Sequence, residues 1–112
     1  MVSQRLIKRG EIWIVKLDPT VGSEIRKTRP CVIVSPPEIH DHLHTAIIAP
    51  LTSRGFSAAF RIAVRHAGRD GTILLDQIRT VDKSRLTKRV GGLAPSVLSV
   101  VLAALTEMFS ES

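Results

Sequence analysis

At 112 residues the chain is short enough for one domain, residues 1–112, and long enough for a modest core. Sixteen Lys and Arg against ten Asp and Glu leave a formal net charge of +6, which favours a polyanionic partner. The single cysteine, Cys31, excludes an intrachain disulfide framework, and no apolar run approaches the ~20 residues that a membrane helix needs.

Arg5, Lys8 and Arg9 are followed by no apolar h-region, so no signal peptide is expected and a cytoplasmic location is. Residues 11–17 carry Ile12, Ile14 and Leu17 on a strand-like pattern that Asp18-Pro19 stops. Trp13 at such a position reads as core rather than as a stacking platform. Residues 31–35 form a continuous buried-strand run ended by Pro36-Pro37, and Cys31 within it reads as core filling. Residues 45–51 give a third apolar run, and 60–64 a fourth with clear alternation. Gly68-Arg69-Asp70-Gly71 is a turn, followed by strand-like segments at 72–75 and 77–81. Pro95 suits the first position of a helix whose apolar face runs through Val97, Leu98, Val101, Leu102, Leu105, Met108 and Phe109. Two readings of that broad face stand side by side: the helix lies across the sheet, or it also serves a dimer contact. Short strands divided by Gly and Pro turns, then one helix, argue a small sheet or barrel.

The most informative stretch is Gly22-Ser23-Glu24-Ile25-Arg26-Lys27-Thr28-Arg29-Pro30, a loop with one carboxylate, three cations and two hydroxyls. Arg29 presents a planar fork of donors suited to two phosphate oxygens, and it stays charged at any working pH. Pro30 restricts Arg29 to extended backbone, which fixes where the side chain emerges. The competing reading pairs Arg29 with Glu24. For Glu24 itself, orienting Arg29 or touching a base or a 2′-hydroxyl competes with an ion pair to Arg26 or Lys27.

With Arg9-Gly10-Glu11-Ile12-Trp13, Leu17-Asp18-Pro19 and Asp76-Gln77-Ile78-Arg79-Thr80-Val81-Asp82, this loop resembles the signature of the MazF/PemK (Kid-like) toxins. Those proteins are ribosome-independent mRNA endoribonucleases. The resemblance spans residues 9–93 and implies a mainly β fold with one helix, a small SH3-like β-barrel with a C-terminal α-helix packed on it. It implies cleavage of single-stranded mRNA at a short sequence by 2′-hydroxyl attack, leaving a 2′,3′-cyclic phosphate (or 3′-phosphate) and a 5′-hydroxyl, with no metal or cofactor. A homodimer and a cognate antitoxin follow from it as well.

Carried over residue by residue, Arg29 and Thr52 become the catalytic pair, joined by Glu24. The expected RNA-binding surface comprises Ser23, Arg26, Lys27, Thr28, Ser53, Arg54, Gln77, Arg79, Arg85 and Lys88. Gln77 offers a paired donor and acceptor for a base edge, and Arg79 a phosphate contact or a stacking plane. Arginine is a poor proton acceptor, so either Glu24 is the general base or cleavage rests on positioning and charge stabilisation. Some family members carry His at the Ser23 position and Arg at the Leu74 position. This chain has neither, which argues against carrying their acid–base scheme over to Asp76.

His40, His42 and His44 would share one face of a strand and could hold a metal there. They follow Pro36-Pro37, however, and read as a loop, facing RNA or solvent. The rival from another class is a non-enzymatic barrel that poisons DNA gyrase. Such toxins depend on a Trp-Gly-Ile tail, whereas this chain ends Met108-Phe109-Ser110-Glu111-Ser112. A proline-peptide module would want an aromatic groove, and the chain has one Trp, three Phe and no Tyr.

Overall fold

The β-branched and apolar runs pair into one curled antiparallel sheet. A computed structural model describes residues 6–25, 27–54 and 58–112. Its strands are β1 (Glu11–Lys16), β2 (Thr28–Ile33), β3 (Thr45–Thr52), β4 (Arg61–His66), β5 (Arg69–Leu74), β6 (Arg79–Asp82) and β7 (Leu86–Gly92). A short helix, α1 (Pro37–His40), precedes β3, and α2 (Pro95–Met108) closes the chain. The order across the sheet is β4-β5-β3-β2-β1-β7, with β6 paired to β3. The long β3 is shared: Thr45–Ile48 face β6, and Leu51 and Thr52 face β5.

Adjacent residues of β1 project to opposite faces, as the pleat requires. Trp13, Val15 and Leu17 join Cys31, Ile33, Ile48, Val81 and Leu86 in a cluster inside the curl. Ile12 joins Val32, Val34, Ala49, Leu51, Ile73 and Val101 in a second cluster on the other face. Val101, 0% exposed, is the inner point of α2, with Ala104, Leu105 and Met108 partly buried beside it. Burying one such side chain is worth ~1.5–3 kcal/mol. The helix therefore does lie across the sheet, while Val100 (54% exposed) and Phe109 (72%) remain outside. Gly10 is where the helix leans on the start of β1. Its φ is +91°, and a Cβ there would sit 3.0 Å from Leu98 Cδ2, so only glycine fits without strain. Among the described residues no helix is long and apolar enough to cross a membrane.

Three departures from the sequence reading matter. β2 begins at Thr28 rather than Cys31, because Thr28, Arg29 and Pro30 already pair with Lys16, Val15 and Ile14. β7 was hidden in a basic run; it is an edge strand whose Lys88 and Arg89 are exposed while its backbone pairs with β1. The His40–His44 stretch, read as a loop facing RNA or solvent, opens on the last residue of α1 and continues in turns and bends, but its first histidine faces inward. His40 is buried at 1% exposure, its Nδ1 is 3.0 Å from Ser35 Oγ, and its carbonyl accepts from Lys83 Nζ. His42 and His44 are exposed, and among the described residues no group of three His, Cys, Asp or Glu is placed to hold a metal.

Candidate active site

The β2–β3 ladder pairs Ile33 with Ile48, Val32 with Ala49 and Cys31 with Pro50, so paired residue numbers sum to 81. The paired rungs stop there; continued by two residues, the same register would bring Arg29 across from Thr52. Directly opposed residues have Cβ atoms within about 5.5 Å. Both residues line one cavity of about 200 Å³, together with Ser53, His66, Arg69 and Asp70. Thr52, 8% exposed, also lines a larger cavity of about 850 Å³ walled by Ser23, Glu24, Arg54, Arg61, Asp76, Gln77 and Arg79. Thr52 thus stands on the ridge between the two, and its Oγ1 accepts a hydrogen bond from Arg54 N at 3.1 Å.

By alternation Arg29 shares the inner face with Cys31 and Ile33. Burial pushes the Cys31 thiol up to about 12, while the positive charges of Arg79 and Arg29 pull it the other way. Arg29 lines the smaller cavity and Arg79 the larger, and both charges are felt at the buried Cys31.

The loop that brings Glu24 here is tied down by side chains far along the chain. Arg85 Nη1 donates to Lys16 O (2.9 Å) and Asp18 O (2.7 Å), and Arg79 Nη1 to Leu17 O (3.0 Å). Gln77 Oε1 accepts from Ile25 N at 2.8 Å, and Ile25 packs against the inner cluster. Within the loop, Glu24 N donates to Val21 O (3.1 Å) and Glu24 Oε1 accepts from Val21 N (2.6 Å), closing a tight turn. Gln77, Arg79 and Arg85, expected from sequence to meet RNA, thus each spend polar atoms on this loop.

The other expected residues divide. Ser23 and Arg54 face the large cavity, and Ser53 the small one. Lys27 and Thr28 are exposed at the loop exit, and Lys88 is exposed on β7 across from Ile14, away from both cavities. Arg26 lies outside the described residues. Trp13 is 9% exposed with Nε1 3.1 Å from Glu11 Oε1, a core tryptophan.

Sequence reasoning missed Arg61, His66 and Arg69. Arg61 Nε and Nη2 bond Asp76 Oδ1 and Oδ2 at 3.1 and 3.0 Å, and that guanidinium holds the Asp76 carboxyl below its usual range. Arg61 lies directly across the β4–β5 ladder from Leu74. The chain therefore supplies a guanidinium beside Asp76 from the neighbouring strand. Only the hairpin register reveals that, and no local spacing signals it.

Residues 8–109 match the model of the family described as PemK-like, MazF-like toxin of type II toxin-antitoxin system. The chain belongs to this toxin family. Among its relatives, Endoribonuclease PemK of Escherichia coli is 34% identical over 110 residues, covering 93% of this chain and 83% of the relative. Endoribonuclease EndoA of Bacillus subtilis is 35% identical over 106 residues, covering 89% and 91%. The fold matches MazF from Deinococcus radiodurans with a TM-score of 0.81 at 24% identity, over 93% of this chain and 96% of that one. An endoribonuclease from a mycobacterial species, solved in complex with its cognate antitoxin, gives 0.78 at 19% identity, over 96% and 100%. Membership in the PemK/MazF family, on relatives named endoribonucleases, gives no support to the gyrase-binding alternative.

Proposed function

We propose that this PemK/MazF-family chain is a sequence-specific, ribosome-independent and metal-independent endoribonuclease of single-stranded mRNA. The observation that carries the reading is that Arg29 and Thr52 line one cavity, and that Thr52 also lines the larger neighbouring cleft that holds Glu24.

The scissile phosphate sits over Arg29 and Thr52. The neighbouring 2′-oxygen forms a bond to phosphorus as the bond to the 5′-oxygen breaks, which leaves a 2′,3′-cyclic phosphate and a 5′-hydroxyl; a 3′-phosphate results where water then adds to phosphorus and the bond to the 2′-oxygen breaks. The phosphorane between them carries extra negative charge. The Arg29 fork and the Thr52 hydroxyl meet that charge, and one well-placed donor of this kind is worth roughly 3–4 kcal/mol. Two described carboxylates line the large cavity. Asp76 is held low by Arg61 and is a weak proton acceptor. Glu24, exposed on its turn, is the acceptor for the 2′-hydroxyl proton, and the leaving 5′-oxygen takes a proton from water. Ser23, Lys27, Thr28, Ser53 and Arg54 hold the RNA on either side.

The same reading makes the chain a single-domain cytoplasmic toxin, neutralised by a cognate antitoxin whose acidic, flexible segment occupies the cationic cleft. Exposed Val100 on α2 and Phe109 just past its end support a homodimer. Mapping 5′-hydroxyl ends after purified protein meets a long RNA tests the activity. Ends at one short recurring sequence are expected; a pattern identical to that of an Arg29→Ala control would reject it.

A further inference from the structure

We propose that Gln77 is a positioning residue for Glu24, acting through the loop backbone rather than through RNA; the proposal rests on the endoribonuclease reading. Glu24 is aimed by a small turn, closed by its own main-chain and side-chain bonds to Val21. The next residue ties that turn to a distant part of the chain. Ile25 N donates to Gln77 Oε1 at 2.8 Å, across 52 residues of sequence. A main-chain N–H only donates, so the oxygen of the Gln77 amide must be the atom that faces it.

Gln77 is itself a rigid point of attachment. It ends a turn of 3₁₀ helix (Leu75–Gln77) whose Leu75 is 0% exposed in the outer cluster. The entry of the loop is fixed independently, by Arg79 on Leu17 O and Arg85 on Lys16 O and Asp18 O. The exit is fixed at Lys27, whose carbonyl accepts from Leu17 N at 3.0 Å, and between Glu24 and that point Ile25 contributes its packing and this bond. Deleting the acceptor leaves a half-buried N–H unpaired and lets the turn swing, and displacing a catalytic group by about 1 Å costs on the order of 10²-fold in rate.

The chemistry makes the test specific, because a carboxylate replaces the acceptor and an apolar side chain of similar bulk does not. We expect Gln77→Glu to keep kcat within about threefold of wild type, and Gln77→Leu to lose about 10–100-fold in kcat with KM within threefold. Cleavage sites should be unchanged in both. Amide exchange at Ile25 should be slow in wild type and Gln77→Glu, and fast in Gln77→Leu; Gln77→Met replaces Gln77→Leu should the latter not fold. A Gln77→Leu protein that cleaves at the wild-type rate, a Gln77→Glu protein as damaged as Gln77→Leu, or a shift in cleavage sites would each overturn the proposal, the last because the amide then reads RNA directly. No cleavage by wild type overturns the functional reading and this proposal with it, whereas the failures above leave that reading standing.

Discussion

Arg61 on β4 grips Asp76 through two parallel hydrogen bonds of 3.1 and 3.0 Å on the wall of the large cavity. The pair keeps Asp76 a carboxylate on that wall, and it joins the β4–β5 hairpin to the segment carrying Gln77. Because the folded pKa of Asp76 is lowered, its contribution to stability is present above the ordinary carboxylate value and is lost as pH falls through the lowered one. Arg61→Ala should let the Asp76 pKa climb back toward that of a free carboxyl, read by NMR titration of the side chain. An unmoved Asp76 titration would mean that something other than Arg61 holds it.

Arg29→Ala should lower kcat by ~10²–10³ while RNA is still bound weakly, since the other cations of the cleft remain for ground-state binding. Arg29→Lys should not restore it, because a point-charge ammonium lacks the fork. Thr52→Val should lose cleavage and Thr52→Ser should keep most of it. Single-turnover rates on a short RNA decide. Cleavage by Arg29→Ala within twofold of wild type would remove Arg29 from the reaction.

Cleavage in EDTA should equal cleavage in Mg²⁺, because the proposed reaction meets the charge of the phosphorane with Arg29 and Thr52. The one histidine-rich stretch does not converge: His40 is inside, against Ser35, while His42 and His44 face solvent. Loss of activity on chelation, restored by Zn²⁺ or Mn²⁺, would mean that the metal enters elsewhere.

His40 should make folding acid-sensitive. Burial lowers its pKa below the usual 6.5, reinforced by Lys83 and Arg9, against Asp41 and the Ile7 backbone, which raise it. The unfolded chain therefore takes up a proton more readily than the folded one. Stability is complete above about 6.5 and declines as pH falls through it. Urea midpoints measured from pH 7.5 down to pH 5.5 should fall, and they should fall less in His40→Gln.

The Cys31 thiol, 0% exposed and pushed up to about 12, should resist thiol reagents at pH 8 in the folded protein and react at once in denaturant. Fast labelling of the native state would contradict the buried inner face that also carries Arg29.

Alternation and turn chemistry alone determined most of the strands and the terminal helix, because both periodicities are local and a buried face must repeat along its own segment. The loop from Gly22 to Pro30 was likewise legible, since its order of charges and hydroxyls is written in adjacent residues. β7 was not: its exposed Lys88 and Arg89 hide the pattern, and what makes it a strand is hydrogen bonding to β1, dozens of residues away. The site was decided the same way. Which hydroxyl faces Arg29, which guanidinium holds Asp76 and which amide fixes the turn of Glu24 all depend on register between distant strands. A slip of one residue would turn those side chains to the opposite face, and nothing local in the sequence states the register. It is set when two apolar faces are buried at once, one inside the curl and one under α2.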